Sequence, residues 1–393
     1  MSKIHHGGRI GRLLYVILLA MVLLPSCREE DEPQPVVFDQ TVIVFMPWST
    51  NLYPFFRQNI NDIERAINAG MLKQERILVC IANTRTQANL VELRLEQGRC
   101  VRDTLYAYSH PDFTRTADIT RMLNDIRALS PTPRYSLIVG CHGMGWLPAG
   151  QAPRRAVPRN GEADVPMTRW FGGLTTDLQI EVSTLAEAIG AANMQMEYIL
   201  FDDCYMSSVE AAYELRHVTD FLVASPTEIM AYGFPYHLCA PCLVGDIDFA
   251  GVCQRFYDFY STYVWPYGTI AVTDCRQLEA LAQSVRAIYR SQQFDEEELK
   301  NLQRMDGYSP TLFYDLGDYI DHLCKDAALL EDFHRQLSLT VPHKAHTDFY
   351  YSNTNGCNEI HAYSGLTTSE PSKNTQAEAM TETQWYRATH GTE

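Results

Sequence analysis

From residue 41 onward, short apolar runs alternate with amphipathic stretches. Residues 42–45, 77–81, 135–139, 198–201, 221–224 and 269–272 are almost wholly apolar, the pattern of strands covered on both faces of a parallel sheet. Stretches with helical period lie between them. Residues 59–69 carry Ile60, Ile63 and Ile67 on one face, and 115–129 carry Ile119, Met122, Leu123, Ile126 and Leu129; both predict helices with a core-facing stripe. Helices are also predicted over 249–264 and 278–291. Residues 91–95 and 104–108 alternate apolar with polar, which predicts a hairpin or edge strands. Thr184 with Glu187 predicts a capping box that opens a helix running to Ala191. Strands alternating with helices predict an α/β layered sandwich. Neither an internal repeat nor a second domain is evident.

Two of the apolar runs end in reactive groups. Residues 135–139 lead into Gly140-Cys141-His142-Gly143-Met144-Gly145-Trp146, and 198–201 lead into Asp202-Asp203-Cys204-Tyr205-Met206-Ser207-Ser208. A helix is predicted to open at the serines, with Val209, Ala212 and Tyr213 on its face. A cysteine between a strand end and a helix start sits where backbone N–H groups and the helix dipole favour a thiolate. A buried core cysteine is the simpler alternative, but two acids directly before it are unusual for a core position. In an open parallel sheet the strand C-termini line one crevice. If both strands share a sheet, His142 and Cys204 emerge on the same edge, the minimum for a nucleophilic thiolate. Gly143 would let its N–H approach a substrate oxygen closely.

The two segments resemble the clostripain family of cysteine peptidases, in the clan of caspases, gingipains, legumains and separases, which carries His-Gly-x-Gly-Trp and then Asp-x-Cys before a helix. The likeness covers roughly residues 41–390 and is loose outside the two motifs. It implies a caspase-like three-layer α/β/α sandwich around a mostly parallel sheet, and a cysteine endopeptidase with Cys204 as nucleophile and His142 as general acid and base. Backbone N–H groups of Gly143 and Cys204 would form the oxyanion hole, and no third catalytic residue is required. Asp202 would contact an arginine or lysine on the N-terminal side of the cut; side chains alternate along an extended chain, so Asp203 would point away. A structural acid capping the following turn is the alternative for Asp202. Residues 225–236 resemble the family's specificity-pocket loop, in which Glu228 is the only acid and is expected to bind substrate. Two departures stand out. The family's acid after the first strand is replaced here by Trp48-Ser49-Thr50-Asn51, and Asp203 stands where a small residue is common, close enough to raise the thiol pKa.

Charge and composition narrow the setting. The chain has 393 residues, 46% of them hydrophobic, and a formal net charge of −16; this supports a large core and disfavours a nucleic-acid partner. Residues 1–27 read as a signal segment: Lys3, Arg9 and Arg12, an apolar run over 13–24, then Leu24-Pro25-Ser26-Cys27. That ending resembles a bacterial lipobox with Cys27 as the lipidated residue; an ordinary secretory signal or an anchor is the alternative. The acids at 29–32 resemble a Bacteroidetes surface-export tag. The expected location is the outer membrane, lipid-anchored through a tether over 28–40, with the peptidase domain over 41–393. An insert over 147–173 carries Arg154, Arg155, Arg159 and Arg169 and reads either as a solvated surface loop or as a processing loop that a peptidase with basic preference could cut itself. The ten cysteines other than Cys27 are irregularly spaced, and most are expected as buried thiols; Cys239 and Cys242 lack a second pair to complete a zinc site. No cofactor is expected. Some relatives are helped by calcium, no EF-hand loop is present, and the sequence leaves that point open. The expected partners are protein or peptide substrates with basic residues.

Three readings compete with a peptidase of basic specificity. One is a catalytically inactive binding module on the same fold, although both catalytic residues are present. Another is a legumain-like or caspase-like specificity, which Asp202 disfavours. The third is a metal hydrolase, for which the twelve histidines supply no His-Glu-x-x-His pattern.

Overall fold

Strands form where the apolar runs predict them. The computed structural model describes residues 37–48, 51–150, 176–293, 295–372 and 374–391; the predicted signal segment, lipidation residue and most of the tether and insert lie outside these. The first ten strands are β1 (Gln40–Met46), β2 (Glu75–Thr84), β3 (Gln87–Glu96), β4 (Arg99–Ser109), β5 (Tyr135–Val139), β6 (Met196–Phe201), β7 (Thr219–Ala224), β8 (Thr269–Asp274), β9 (Tyr314–Asp315) and β10 (His343–His346). All but β9 join one sheet in the order β10-β8-β7-β6-β5-β1-β2-β3-β4. Its centre, β2-β1-β5-β6-β7, is parallel, and both margins are antiparallel. All seven residues of β1 are buried, as a central parallel strand demands. The outermost strand β4 is mostly exposed and carries Arg99, Arg102 and Asp103, charges that keep an open edge from pairing.

Helices cover the sheet in two separate groups. Tyr53–Asn68 and Phe249–Thr262 belong to one; Thr116–Leu129, Val182–Ala191, Val209–Leu215, Leu278–Ser291, Ala327–Thr340 and Gln384–His390 belong to the other. This is the predicted sandwich. The first helix starts at Tyr53, six residues before the predicted start at Asn59, with Pro54 in its opening turn. The capping box predicted at Thr184 is corrected: the helix already begins at Val182, no side chain caps it, and Glu181 just before it accepts from the Ala149 N–H at 2.7 Å. No helix among the described residues is long and apolar enough to cross a membrane. None of the ten described cysteines is in a disulfide, and eight are buried.

From β1 the chain steps outward to β2, and from β5 it steps the other way to β6 and β7. The topological switch point is therefore between β1 and β5, where the C-terminal ends of an open parallel sheet leave a crevice.

Two fully buried carboxylates tie down the loops beyond that edge. Glu210 accepts from the Thr368 hydroxyl at 2.8 Å and the Ser369 N–H at 3.3 Å. Asp306 accepts from the N–H groups of Tyr308, Leu312 and Phe313. Burial pushes both carboxyls up to about 7. The unfolded chain releases these protons near pH 4, so between pH 4 and 7 the folded form binds more of them and stability falls as pH rises. For Glu210, raised from 4.5 to about 7, the loss is roughly 3 kcal/mol. Tm is expected to drop between pH 5 and 8 in thermal melts, and Glu210→Gln to flatten that slope. A Tm that rises across this window contradicts the assignment.

Candidate active site

His142 and Cys204 leave the sheet side by side because of strand register. In the parallel pair β5–β6, Val139 lies opposite Phe201; His142 and Cys204 are each three residues further on. The last rung of the ladder is the Asp202 N–H to the Val139 carbonyl at 2.9 Å. Beyond it the two loops touch through backbone. A Cβ on Gly143 would lie 2.0 Å from the Cys204 carbonyl oxygen and 2.7 Å from its nitrogen, so only glycine fits. Gly145 has φ +60°, and a Cβ there would press on the Tyr205 carbonyl at 2.9 Å. Tyr205 is itself left-handed at φ +60°, an uncommon state for a bulky residue that must be held from outside. Phe313 stacks on its ring at 5.0 Å, and its hydroxyl donates to Glu228 at 2.9 Å.

The imidazole has a partner that the sequence did not single out. Nε2 of His142 lies 2.9 Å from Oδ1 of Asn51, in the turn after β1 where the family's acid is missing. An amide oxygen only accepts, so Nε2 carries the proton and Nδ1 is the basic nitrogen of the neutral ring. A signal is present in the sequence, since Asn51 follows an apolar strand bound for the same edge, but a neutral amide carries no charge to mark it as an orienting group. Asn51→Ala is expected to lower kcat roughly tenfold with KM little changed, the scale of a lost orienting hydrogen bond; an unchanged kcat in steady-state assays contradicts the role.

The thiol is closed over. Cys204, His142 and Asp202 are all 0% exposed. Sγ of Cys204 accepts from the Ile229 N–H at 3.2 Å, so the 225–236 loop lies directly against the sulfur. Asp202 lies under the same loop. Its Oδ1 accepts from the Phe234 N–H at 3.0 Å and its Oδ2 from the Tyr236 hydroxyl at 3.1 Å. Glu228 is held by other partners in the closed cleft. It is 4% exposed, and Oε1 already takes donors from Tyr205, from the Ser352 hydroxyl at 2.7 Å and from the Asn353 N–H at 3.0 Å. Glu228 thus joins the turn after Cys204 to the hairpin formed by Phe349–Ser352 and Gly356–Glu359. The helix-dipole expectation is corrected. Val209–Leu215 has seven residues, begins five positions after Cys204 and is capped by Ser208 through the Ala211 N–H, and a dipole effect fades within a turn.

Among the described residues no group of three or more histidine, cysteine or acidic side chains could hold a metal ion. Cys27 and residues 151–173 of the insert lie outside the described residues; the described start of the insert is pinned by Gly150 N–H to Gln179 Oε1 at 2.6 Å. What the geometry brings together is a thiol, an oriented imidazole and two closely packed backbone segments beyond the C-terminal edge of β5 and β6, the parts of an acyl-transfer site.

Comparison with known proteins leads to the same family. The profile of the clostripain family matches residues 44–335. A secreted C11 cysteine protease from Bacteroides thetaiotaomicron, "iotapain", is similar at 47% identity and TM-score 0.85, over 91% of this chain and 100% of that one. A clostripain from the same organism, in complex with the peptide inhibitor BTN-VLTK-AOMK, is 49% identical over 57% of this chain and 100% of its own, with TM-score 0.56. An inactive zymogen C11 protease from Parabacteroides distasonis, 24% identical with TM-score 0.75 over 90% of this chain and 99% of that one, shares the fold. A search of curated proteins returns no match. With three quarters of the chain inside the family profile and a relative of nearly half identity along almost its full length, the chain belongs to the clostripain family and is a cysteine endopeptidase.

Proposed function

We propose that the protein cuts proteins or peptides after arginine or lysine by means of a Cys204–His142 dyad, and that the closed cleft is its latent form. The observation that carries this reading is the β5–β6 register, which delivers both groups to one edge. Nδ1 of His142 takes the proton of the Cys204 thiol as Sγ attacks the scissile carbonyl carbon, and a thioester forms as the C–N bond breaks. His142 gives a proton to the leaving amine and then takes one from the water that hydrolyses the thioester. N–H groups of Gly143 and Cys204 stabilise the oxyanion. Asp202 is the base of the primary pocket. The two donors it already holds suit an ionised carboxylate, and a guanidinium or ammonium would add a charge-assisted partner once the 225–236 loop withdraws. The inhibitor bound to the 49% identical relative has the letter K next to its AOMK group, which supports a basic residue before the cut. Opening is attributed to cleavage within the 147–173 insert, whose arginines match that specificity. Fluorogenic peptides ending in Arg, Lys, Asn or Asp test the assignment. Arg and Lys substrates are expected to be favoured by at least a hundredfold, and Asp202→Asn to erase that preference. Equal cutting of all four contradicts it.

The N-terminal segment supports export, and the 47% identical relative is described as secreted. Lipidation at Cys27 would hold the enzyme at the outer membrane. Labelled fatty acid incorporated by the wild type and not by Cys27→Ala is the expected result; equal label in both contradicts it.

A further inference from the structure

Each catalytic residue has a neighbour in sequence, and these two neighbours bind each other. Cys141 precedes His142, and Asp203 precedes Cys204. The N–H of Cys141 donates to Oδ1 of Asp203 at 2.5 Å, and its Sγ–H lies 3.4 Å from Oδ2. Both side chains are 0% exposed. The contact lies just past the final β5–β6 rung, where the sheet no longer ties the two chains together. Gly143 closes the other side of the same junction: a Cβ there would lie 2.8 Å from the Asp203 Cβ. His142 is thus bracketed, with its preceding N–H held by the Asp203 carboxylate and its following residue packed on the Cys204 main chain.

We propose that Asp203 is a positioning residue that fixes His142 against Cys204 by clamping the main chain at Cys141. The proposal rests on the dyad reading given above. It assigns a role to an acid that the sequence marks only as a departure from the family pattern and as a burden on the thiol. A buried carboxylate facing a main-chain N–H makes a short, charge-assisted bond. Its strength is directed at geometry, because the bonded atom is one peptide away from the imidazole-bearing residue. Displacements of about 1 Å in such a pair cost on the order of a hundredfold in rate.

Asp203→Ala and Asp203→Asn test this, beside the wild type and His142→Ala, each with its 147–173 insert first cut by trypsin, which is then removed. Three quantities are read: kcat and KM on an arginyl or lysyl peptide, Tm, and the rate of Cys204 alkylation by iodoacetamide, followed on its own tryptic peptide by mass spectrometry. The positioning role predicts that Asp203→Ala lowers kcat at least thirtyfold with KM within twofold. Alkylation of Cys204 then falls to the rate seen in His142→Ala, since the imidazole no longer reaches the sulfur. Asp203→Asn keeps an acceptor oxygen of the same size, and it is expected to recover most of both losses if its amide oxygen faces Cys141. A merely structural role lowers Tm and leaves the per-molecule alkylation rate of the folded fraction unchanged, which overturns the proposal. Faster alkylation in Asp203→Ala than in the wild type also overturns it, because the carboxylate would then be an electrostatic brake on the thiol. Should Asp203→Ala fail to fold, the decision rests on Asp203→Asn, where alkylation as slow as in His142→Ala at unchanged Tm overturns the account. Failure of the peptidase reading looks different: wild type and His142→Ala then alkylate Cys204 equally fast, which removes the imidazole's role and the clamp's purpose with it.

Discussion

Replacing Cys204 by alanine is expected to lower kcat/KM on arginyl and lysyl peptides by at least about ten-thousandfold while the fold is kept. Cys204 is fully buried among apolar side chains, so removing one sulfur leaves a cavity smaller than a methionine-to-alanine change would, and a destabilisation of about 1 kcal/mol is anticipated. The separation of effects is the informative part. A buried structural thiol gives a small stability loss and no loss of turnover; a nucleophile gives the reverse. His142→Ala should match the rate loss closely, because two groups that act as a unit are not additive. If Cys204→Ala retained even a hundredth of the wild-type rate, the covalent route through this sulfur would be wrong.

The second large effect is steric. Gly143→Ala places a methyl 2.0 Å from the Cys204 carbonyl oxygen and 2.7 Å from its nitrogen. Both are main-chain atoms of the nucleophile's own turn, so the overlap cannot be relieved by a rotamer change. The two loops must part, which is expected to cost about 2–4 kcal/mol of stability and to reduce kcat by roughly a thousandfold as the oxyanion donors and the imidazole move off the sulfur. Gly140→Ala is the matched control. There the atoms nearest a Cβ would be those of the Met46 and Phe56 side chains, at 3.5 Å or more, and activity within twofold of wild type is expected. Equal tolerance at both positions in paired melts and assays would contradict the packing described for the dyad.

The parts of the molecule that were legible in the sequence are those whose signal is local. The central strands could be read because strands buried on both faces have no polar alternation to blur them, and β1, β5 and β6 fall where their apolar runs lie. The segments that carry His142 and Cys204 were legible because chemistry-bearing residues follow those strands directly. Elements defined by long-range partners were not legible. Strand β10, His-Lys-Ala-His at the sheet margin, has no periodicity of its own and exists through antiparallel pairing with β8. The hairpin of Phe349–Ser352 and Gly356–Glu359 matters to the site only through the reach of Ser352 and Asn353 to Glu228. The same limit explains the site residues. Glu228 reads as a substrate ligand from its place in a pocket loop, because its three donors come from residues 23 or more positions away. Asn51 is 91 positions from His142, and only the β1–β5 pairing makes them neighbours. That the 225–236 loop would cover the thiol is a property of tertiary packing, to which no sequence pattern points.

Covalent trapping tests the central claim most directly. The protein, its 147–173 insert first cut by trypsin that is then removed, is incubated with a peptide that ends in lysine and bears a thiol-reactive acyloxymethyl ketone, and the adduct is mapped by mass spectrometry in the wild type, in His142→Ala and in Asp202→Asn. One adduct per chain, on Cys204, formed at least a hundredfold more slowly in either variant, is the result this account predicts. Label spread over several cysteines, or Cys204 labelled equally well in all three proteins, would contradict it.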